Sequence, residues 1–116
     1  MSIPRNFDPL ATVVDWLDFC RSGEAGLLLS LYDEEAVLEC ECERASLSGR
    51  RALEAYWRSR LQTKSPLAFD LEDLKMDADR VTLDHRNNKG EPVRIHFRFT
   101  DGGKILHTTC SCSRKC

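Results

Sequence analysis

The sequence predicts an α+β domain: a cone-shaped, curved, mixed or antiparallel sheet wrapped around three N-terminal helices. Three observations predict it. Apolar residues recur at helical spacing mainly in the first half, around DPLATVVDWLDFC and GRRALEAYWRSRL. From Pro66 onward the period changes to two. Two clusters of turn residues, Asn87-Asn88-Lys89-Gly90 and Asp101-Gly102-Gly103, punctuate that second half as hairpins.

The first helix is expected to start at Asp8, an N-cap, with Pro9 at the first helical position, where its missing N–H costs nothing. Leu10, Val13, Val14, Leu17 and Cys20 form its apolar face, Trp16 lies on the flank, and Gly23 supplies the left-handed stop. A second, short helix is read through Leu27, Leu28, Leu29, Leu31 and Tyr32, ended by Asp33, Glu34 and Glu35. A strand follows over Ala36 to Cys42, with Leu38, Cys40 and Cys42 on one face and Glu39, Glu41 and Glu43 on the other. Three glutamates on one strand face read as a solvated surface rather than a cation site.

Ser48-Gly49 opens the third helix, which turns Ala52, Leu53, Tyr56, Trp57 and Leu61 inward and Arg50, Arg51, Arg58 and Arg60 outward. The rest is strands. Pro66 to Leu71 is expected to point Leu67, Phe69 and Leu71 inward. Val81, Leu83 and His85 share a face, as do Val93, Ile95, Phe97 and Phe99, with Arg94, His96 and Arg98 opposite. A last strand covers Lys104 to Ser113.

Size and composition bound the rest. A chain of 116 residues, 41% hydrophobic and 31% charged, is expected to form one domain over residues 1–116 with an ordered core over about residues 7–113. A net charge of −2 gives no bulk electrostatic argument for nucleic acid or an acidic membrane. No apolar run reaches the roughly 18 residues of a spanning helix. MSIPRNFDPL lacks the charged-then-apolar pattern of a secretory signal, so a cytoplasmic location and reduced thiols are expected for the six cysteines.

Three segments, LSLYDEEAVLE, SLSGRRALEAYW and HFRFTDGGKI, together resemble the nuclear transport factor 2-like superfamily, whose cystatin-like fold is shared by ketosteroid isomerases and SnoaL-like polyketide cyclases. The resemblance covers almost the whole chain and implies a single SnoaL-like domain with an apolar cavity for a small ligand, polycyclic ones included. It puts Trp16, Tyr32, Cys40, Trp57, Phe69, Leu83, Ile95, Phe97, Cys110 and Cys112 around that cavity. Ketosteroid isomerase chemistry needs an Asp base and an oxyanion hole of Tyr and protonated Asp. The resemblance aligns Cys40 with the base, Trp16 with the Tyr and Ile95 with the protonated Asp. Ile95 donates nothing, and an apolar site raises the pKa of a thiol. The pocket is therefore expected without the isomerase reaction.

Two constellations remain. His85, on the face of Val81 and Leu83, is the candidate acid or base for a proton-transfer isomerase, lyase or cyclase, with Tyr32 and Trp16 as orienting donors. The plainer reading has its ring bonded into the adjacent Asn87 turn. Cys40-x-Cys42 and Cys110-x-Cys112 lie on strands that the resemblance makes neighbours, so four thiols could converge on zinc. Residues i and i+2 on a strand are about 6.6 Å apart, too far for a standard tetrahedral site. Buried thiols filling a core are preferred, and neither metal nor cofactor is expected. The competing reading is a non-enzymatic assembly module, a homodimer through the sheet face with Arg94, His96, Arg98 and Glu41 as the partner surface.

Overall fold

The computed structural model describes residues 8–41, 44–63, 70–77, 79–87 and 89–112. Three helices, α1 (Pro9–Ser22), α2 (Ala25–Leu29) and α3 (Arg50–Thr63), combine with six strands: β1 (Tyr32–Cys40), β2 (Ala45–Ser48), β3 (Asp70–Asp77), β4 (Arg80–Arg86), β5 (Pro92–Phe99) and β6 (Ile105–Cys112). The strands form one sheet in the order β2-β1-β6-β5-β4-β3. The β1–β6 pair is parallel and the other pairs are antiparallel. The expected curved mixed sheet around helices is the observed architecture.

Local chemistry explains the helix ends. The Asp8 carboxylate accepts from the backbone N–H groups of Leu10 (3.1 Å) and Ala11 (3.3 Å), satisfying donors that the first turn leaves open. Gly23 adopts φ +73°, and its N–H closes the helix on the Cys20 carbonyl. Gly49, at φ +94°, accepts from Leu53 N–H and so begins α3.

Curvature comes from the strands. Register shifts interrupt the ladders between Tyr32 and Val37, between Leu71 and Asp73, and between Arg98 and Phe99. Such bulges bend and twist the strands that carry them. The sheet then closes around the helices, with α1 against β3 and β4 and α3 against β1 and β2. Val13, Leu28, Leu53, Leu83, Phe97 and Ile105 are fully enclosed between the layers.

Several expected boundaries move. Tyr32 starts β1 rather than ending α2, and Asp33, Glu34 and Glu35 lie within that strand. Ala36, Leu38 and Cys40 alternate inward, and Tyr32 is buried too, but Glu34 between them is exposed, because a register shift between Tyr32 and Val37 resets the phase. Leu27, expected to be buried, is 49% exposed because α2 is only five residues long and covers the core with Leu28 and Leu29. Val14 likewise faces outward. Of the strand expected over Pro66 to Leu71, residues 66–69 lie outside the described residues; the described part belongs to β3, Asp70–Asp77, an edge strand whose Leu71 is 41% exposed rather than inward. Leu67 and Phe69 lie outside the described residues. A short strand unmarked in the sequence reading, β2, pairs with β1 as a hairpin, its turn carrying Arg44 at φ +54°. Both hairpins of the second half form as expected: Asn87 N–H bonds Glu91 O at 3.0 Å, and Thr100 N–H bonds Lys104 O at 2.8 Å.

Candidate functional site

The concave wall is built in rows set by strand register. One row crosses the sheet as Cys40, Cys110, Ile95, Leu83 and Leu74. One step deeper, Leu38, Thr108, Phe97 and Val81 stand side by side. One step toward the Asn87 hairpin, Cys112, Val93, His85 and Leu71 are register partners. Alternation along each strand puts these rows on one face of the sheet.

At the deep end the helices contribute an aromatic cluster. Trp16 meets Trp57 edge-to-face at 5.8 Å between ring centroids and meets Phe97 at 5.2 Å. Such T-shaped pairs set the positive edge of one ring on the negative face of the next. Trp16 Nε1 donates to the Tyr32 hydroxyl oxygen at 3.0 Å. All four rings are buried. Burial drives the Tyr32 phenol far above its ordinary pKa, against the smaller lowering effect of the Trp16 and Trp57 N–H groups. The phenol therefore keeps its proton while its oxygen accepts from Trp16.

Trp57 Nε1 differs. It is buried, close enough to the Tyr32 oxygen to stabilise negative charge there, but outside hydrogen-bonding geometry, and it has no hydrogen-bond partner among the described residues. Thr108 Oγ1, on the Phe97 row, is the other buried side-chain polar atom left unpartnered among the described residues. A buried donor without an acceptor costs about 1–3 kcal/mol, so each such atom calls for a physical explanation.

His85 is 5% exposed and on the concave side, as its phase with Val81 and Leu83 requires. Its Nδ1 donates to the Arg86 carbonyl at 3.2 Å. A carbonyl only accepts, so Nδ1 carries the hydrogen in that bond and Nε2 is the basic nitrogen of the neutral ring. Four residues of strand separate His85 from Val81, the partner of Phe97, which is about 13 Å at the rise of a strand. His85 thus belongs to the hairpin end of the wall, and the described geometry does not bring it into the Trp16–Tyr32–Trp57 cluster.

Of the expected cavity residues, Trp16, Tyr32, Trp57 and Phe97 form the deep cluster, and Cys40, Leu83, Ile95 and Cys110 form the row above it. Phe69 lies outside the described residues, as do Cys42 and the side chain of Cys112. Cys40 and Cys110 are direct register partners. They open onto a cleft of about 530 Å³ at the strand ends, shared with Glu39, Glu41, Arg44, Ser46 and Ser111. No cluster of three metal-ligating side chains occurs among the described residues.

The convex face carries the expected Arg94, His96 and Arg98. Arg94 forms a two-pronged bond to Asp84 at 2.8 and 3.1 Å, and that bond, ahead of desolvation, holds the Asp84 carboxyl below its ordinary pKa. His96 Nδ1 shares a 3.0 Å hydrogen bond with Thr82 Oγ1, and burial, then Arg80 and Arg94, lower its pKa. His107 Nε2 lies 3.0 Å from Glu39. Sequence reasoning placed these side chains on the correct face but could not see that they are largely matched within the chain. It also passed over Thr108, whose inward phase with Cys110 was the available signal.

Comparison with known proteins adds the family. A SnoaL-like protein of unknown function from Burkholderia thailandensis superposes with a TM-score of 0.82 at 18% identity, over 97% of this chain and 100% of its own. A nuclear transport factor 2-like protein of unknown function from Cytophaga hutchinsonii gives a TM-score of 0.75 at 9% identity, over 96% and 95% of the two chains. A de novo designed protein with a curved β-sheet reaches 0.74 at 13% identity, over 90% and 84%. At these identities the likeness establishes the fold alone, and a designed protein among the matches makes the same point. No curated protein matches the chain. The sequence itself matches the description "SnoaL-like domain" over residues 13–108, and the chain belongs to that family.

Proposed function

We propose that this protein binds a small, flat, apolar molecule bearing an oxygen acceptor, held in the cone against the Trp16–Tyr32–Trp57 cluster. The observation that carries this reading is the buried Trp57 Nε1, which has no acceptor among the described residues although it lies beside a second donor, the Tyr32 hydroxyl. A carbonyl or ether oxygen supplied by a ligand would satisfy both groups. Aromatic faces and the Leu83–Ile95 wall would cover its apolar body.

The reading is binding rather than ketosteroid isomerisation. Ile95 offers no proton to a developing oxyanion, and the Trp16 N–H is already spent on Tyr32. Should turnover of some substrate be found, His85 Nε2 is the proton acceptor to test, and an unchanged rate in His85→Ala would remove it from the mechanism.

Native mass spectrometry on gently purified, reduced protein is the test. A retained organic mass of a few hundred daltons, lost in Trp57→Phe, supports the reading. A bare chain that also fails to bind a panel of apolar ketones contradicts it. The same spectrum reports the oligomeric state, and so tests the expected homodimer through the sheet face.

A further inference from the structure

We infer that Cys40 and Cys110 form a reversible redox site, closing to an intrachain disulfide across the parallel β1–β6 pair. This goes beyond the ligand reading and does not depend on it. Cys40 and Cys110 are register partners on neighbouring strands. Their side chains lie on the same, concave face: Cys40 alternates with exposed Glu39, and Cys110 pairs with buried Ile95. Neighbouring strands are about 4.8 Å apart, which falls within the roughly 4.4–6.8 Å between Cα atoms that a disulfide spans. Both thiols are unoxidised in this structure.

Position decides the order of events. Cys110 is half-buried, Cys40 is only 6% exposed, and both border the 530 Å³ cleft. A small disulfide such as oxidised glutathione can therefore reach Cys110 first. The Cys110 thiolate attacks one glutathione sulfur, forming a mixed disulfide and releasing one glutathione thiolate. The Cys40 thiolate then attacks Cys110 Sγ, forming the Cys40–Cys110 bond and releasing the second. Two protein thiols are oxidised, one oxidised glutathione is reduced to two glutathiones, and the two thiol protons end on the leaving thiolates. Cys20 is a poor competitor, because it is buried in α1 and burial raises its thiol pKa. The i, i+2 pair Cys110 and Cys112 on β6 is about 6.6 Å apart, at the edge of the bridging range.

The test uses a chain that keeps only this pair (Cys20→Ala with Cys42, Cys112 and Cys116→Ser), treated with oxidised glutathione, alkylated, and read by intact mass and peptide mapping. The expected product is a monomer lighter by two hydrogens, with no bound glutathione, both alkylation sites lost, and recovery by reduced glutathione. A stable glutathione adduct at Cys110 with Cys40 still alkylated would overturn the proposal. The unsubstituted chain is mapped in parallel, so that a misfolded variant does not decide the outcome. A cross-linked Cys40–Cys110 peptide there supports the site, and oxidation confined to other cysteines refutes it.

Discussion

At the deep end of the cone, Trp16, Tyr32, Trp57 and Phe97 pack edge against face, and every ring is buried. At the strand ends, the same concave wall continues as Cys40 and Cys110, bordered by Glu39, Glu41, Arg44 and Ser111 around a cleft. The first region gains its order from ring area and one internal hydrogen bond, and keeps a donor that is unmatched among the described residues. The second is held by ladder hydrogen bonds such as Glu41 N–H to Cys110 O at 2.9 Å, and presents small side chains to an opening. One sheet face thus carries a packed aromatic cluster at one end and two thiols beside a cleft at the other.

The largest test of that contrast is truncation. Phe97→Ala should cost about 3–5 kcal/mol in urea unfolding, as expected for a fully enclosed ring. Cys110→Ala, at the open end, should cost far less, and equal losses would erase the distinction between the two ends.

Next in size is the internal hydrogen bond. Tyr32→Phe leaves the buried Trp16 N–H without its acceptor and should cost about 1–3 kcal/mol. Trp16→Phe and Trp57→Phe remove the same volume, but only the former gives up a hydrogen bond. Without ligand, Trp16→Phe should therefore be the more destabilising of the two by about 1 kcal/mol, read as a difference in unfolding midpoint. The reverse order would mean that the Trp57 donor is satisfied after all.

The smallest effect sits on the convex face. Burial, then Arg80 and Arg94, depress the pKa of His96 from 6.5, while Asp84 and Asp77 act in the opposite direction more weakly. The unfolded chain therefore takes that proton more readily. The stabilising contribution is present above pH 6.5 and is lost as pH falls through the lower folded value. His96→Gln should flatten the acid-side decline of the urea midpoint while leaving the neutral-pH value nearly unchanged.

How much of this was legible in the sequence follows from the physics of each signal. Alternation reports which face a side chain occupies, so Val81, Leu83 and His85, and Val93 through Phe99, were placed correctly. Depth is a different quantity. Leu71 shares its face with buried partners yet is exposed, because β3 is the sheet edge. Short apolar runs do not declare their type: Leu27 to Tyr32 reads as one helix, while the chain turns at Ser30 and enters β1 at Tyr32. That the strands of Cys40 and Cys110 are neighbours followed from the family resemblance; that the two residues are direct partners is seen only in the register. That the Trp57 N–H finds no partner among the described residues has no sequence signature, because a missing partner is a property of three-dimensional geometry alone.

The most direct test of the central claim uses the two tryptophans as built-in reporters. Their two indole N–H resonances can be followed in a nitrogen–proton correlation spectrum while fluorenone, a flat apolar ketone, is titrated in, with the hydrocarbon fluorene as the control. The account predicts that the Trp57 indole proton moves downfield with fluorenone far more than with fluorene, while the Trp16 proton, already bonded to Tyr32, moves little. Equal shifts with both compounds, or no shift at Trp57 with any ketone of the panel, would contradict it.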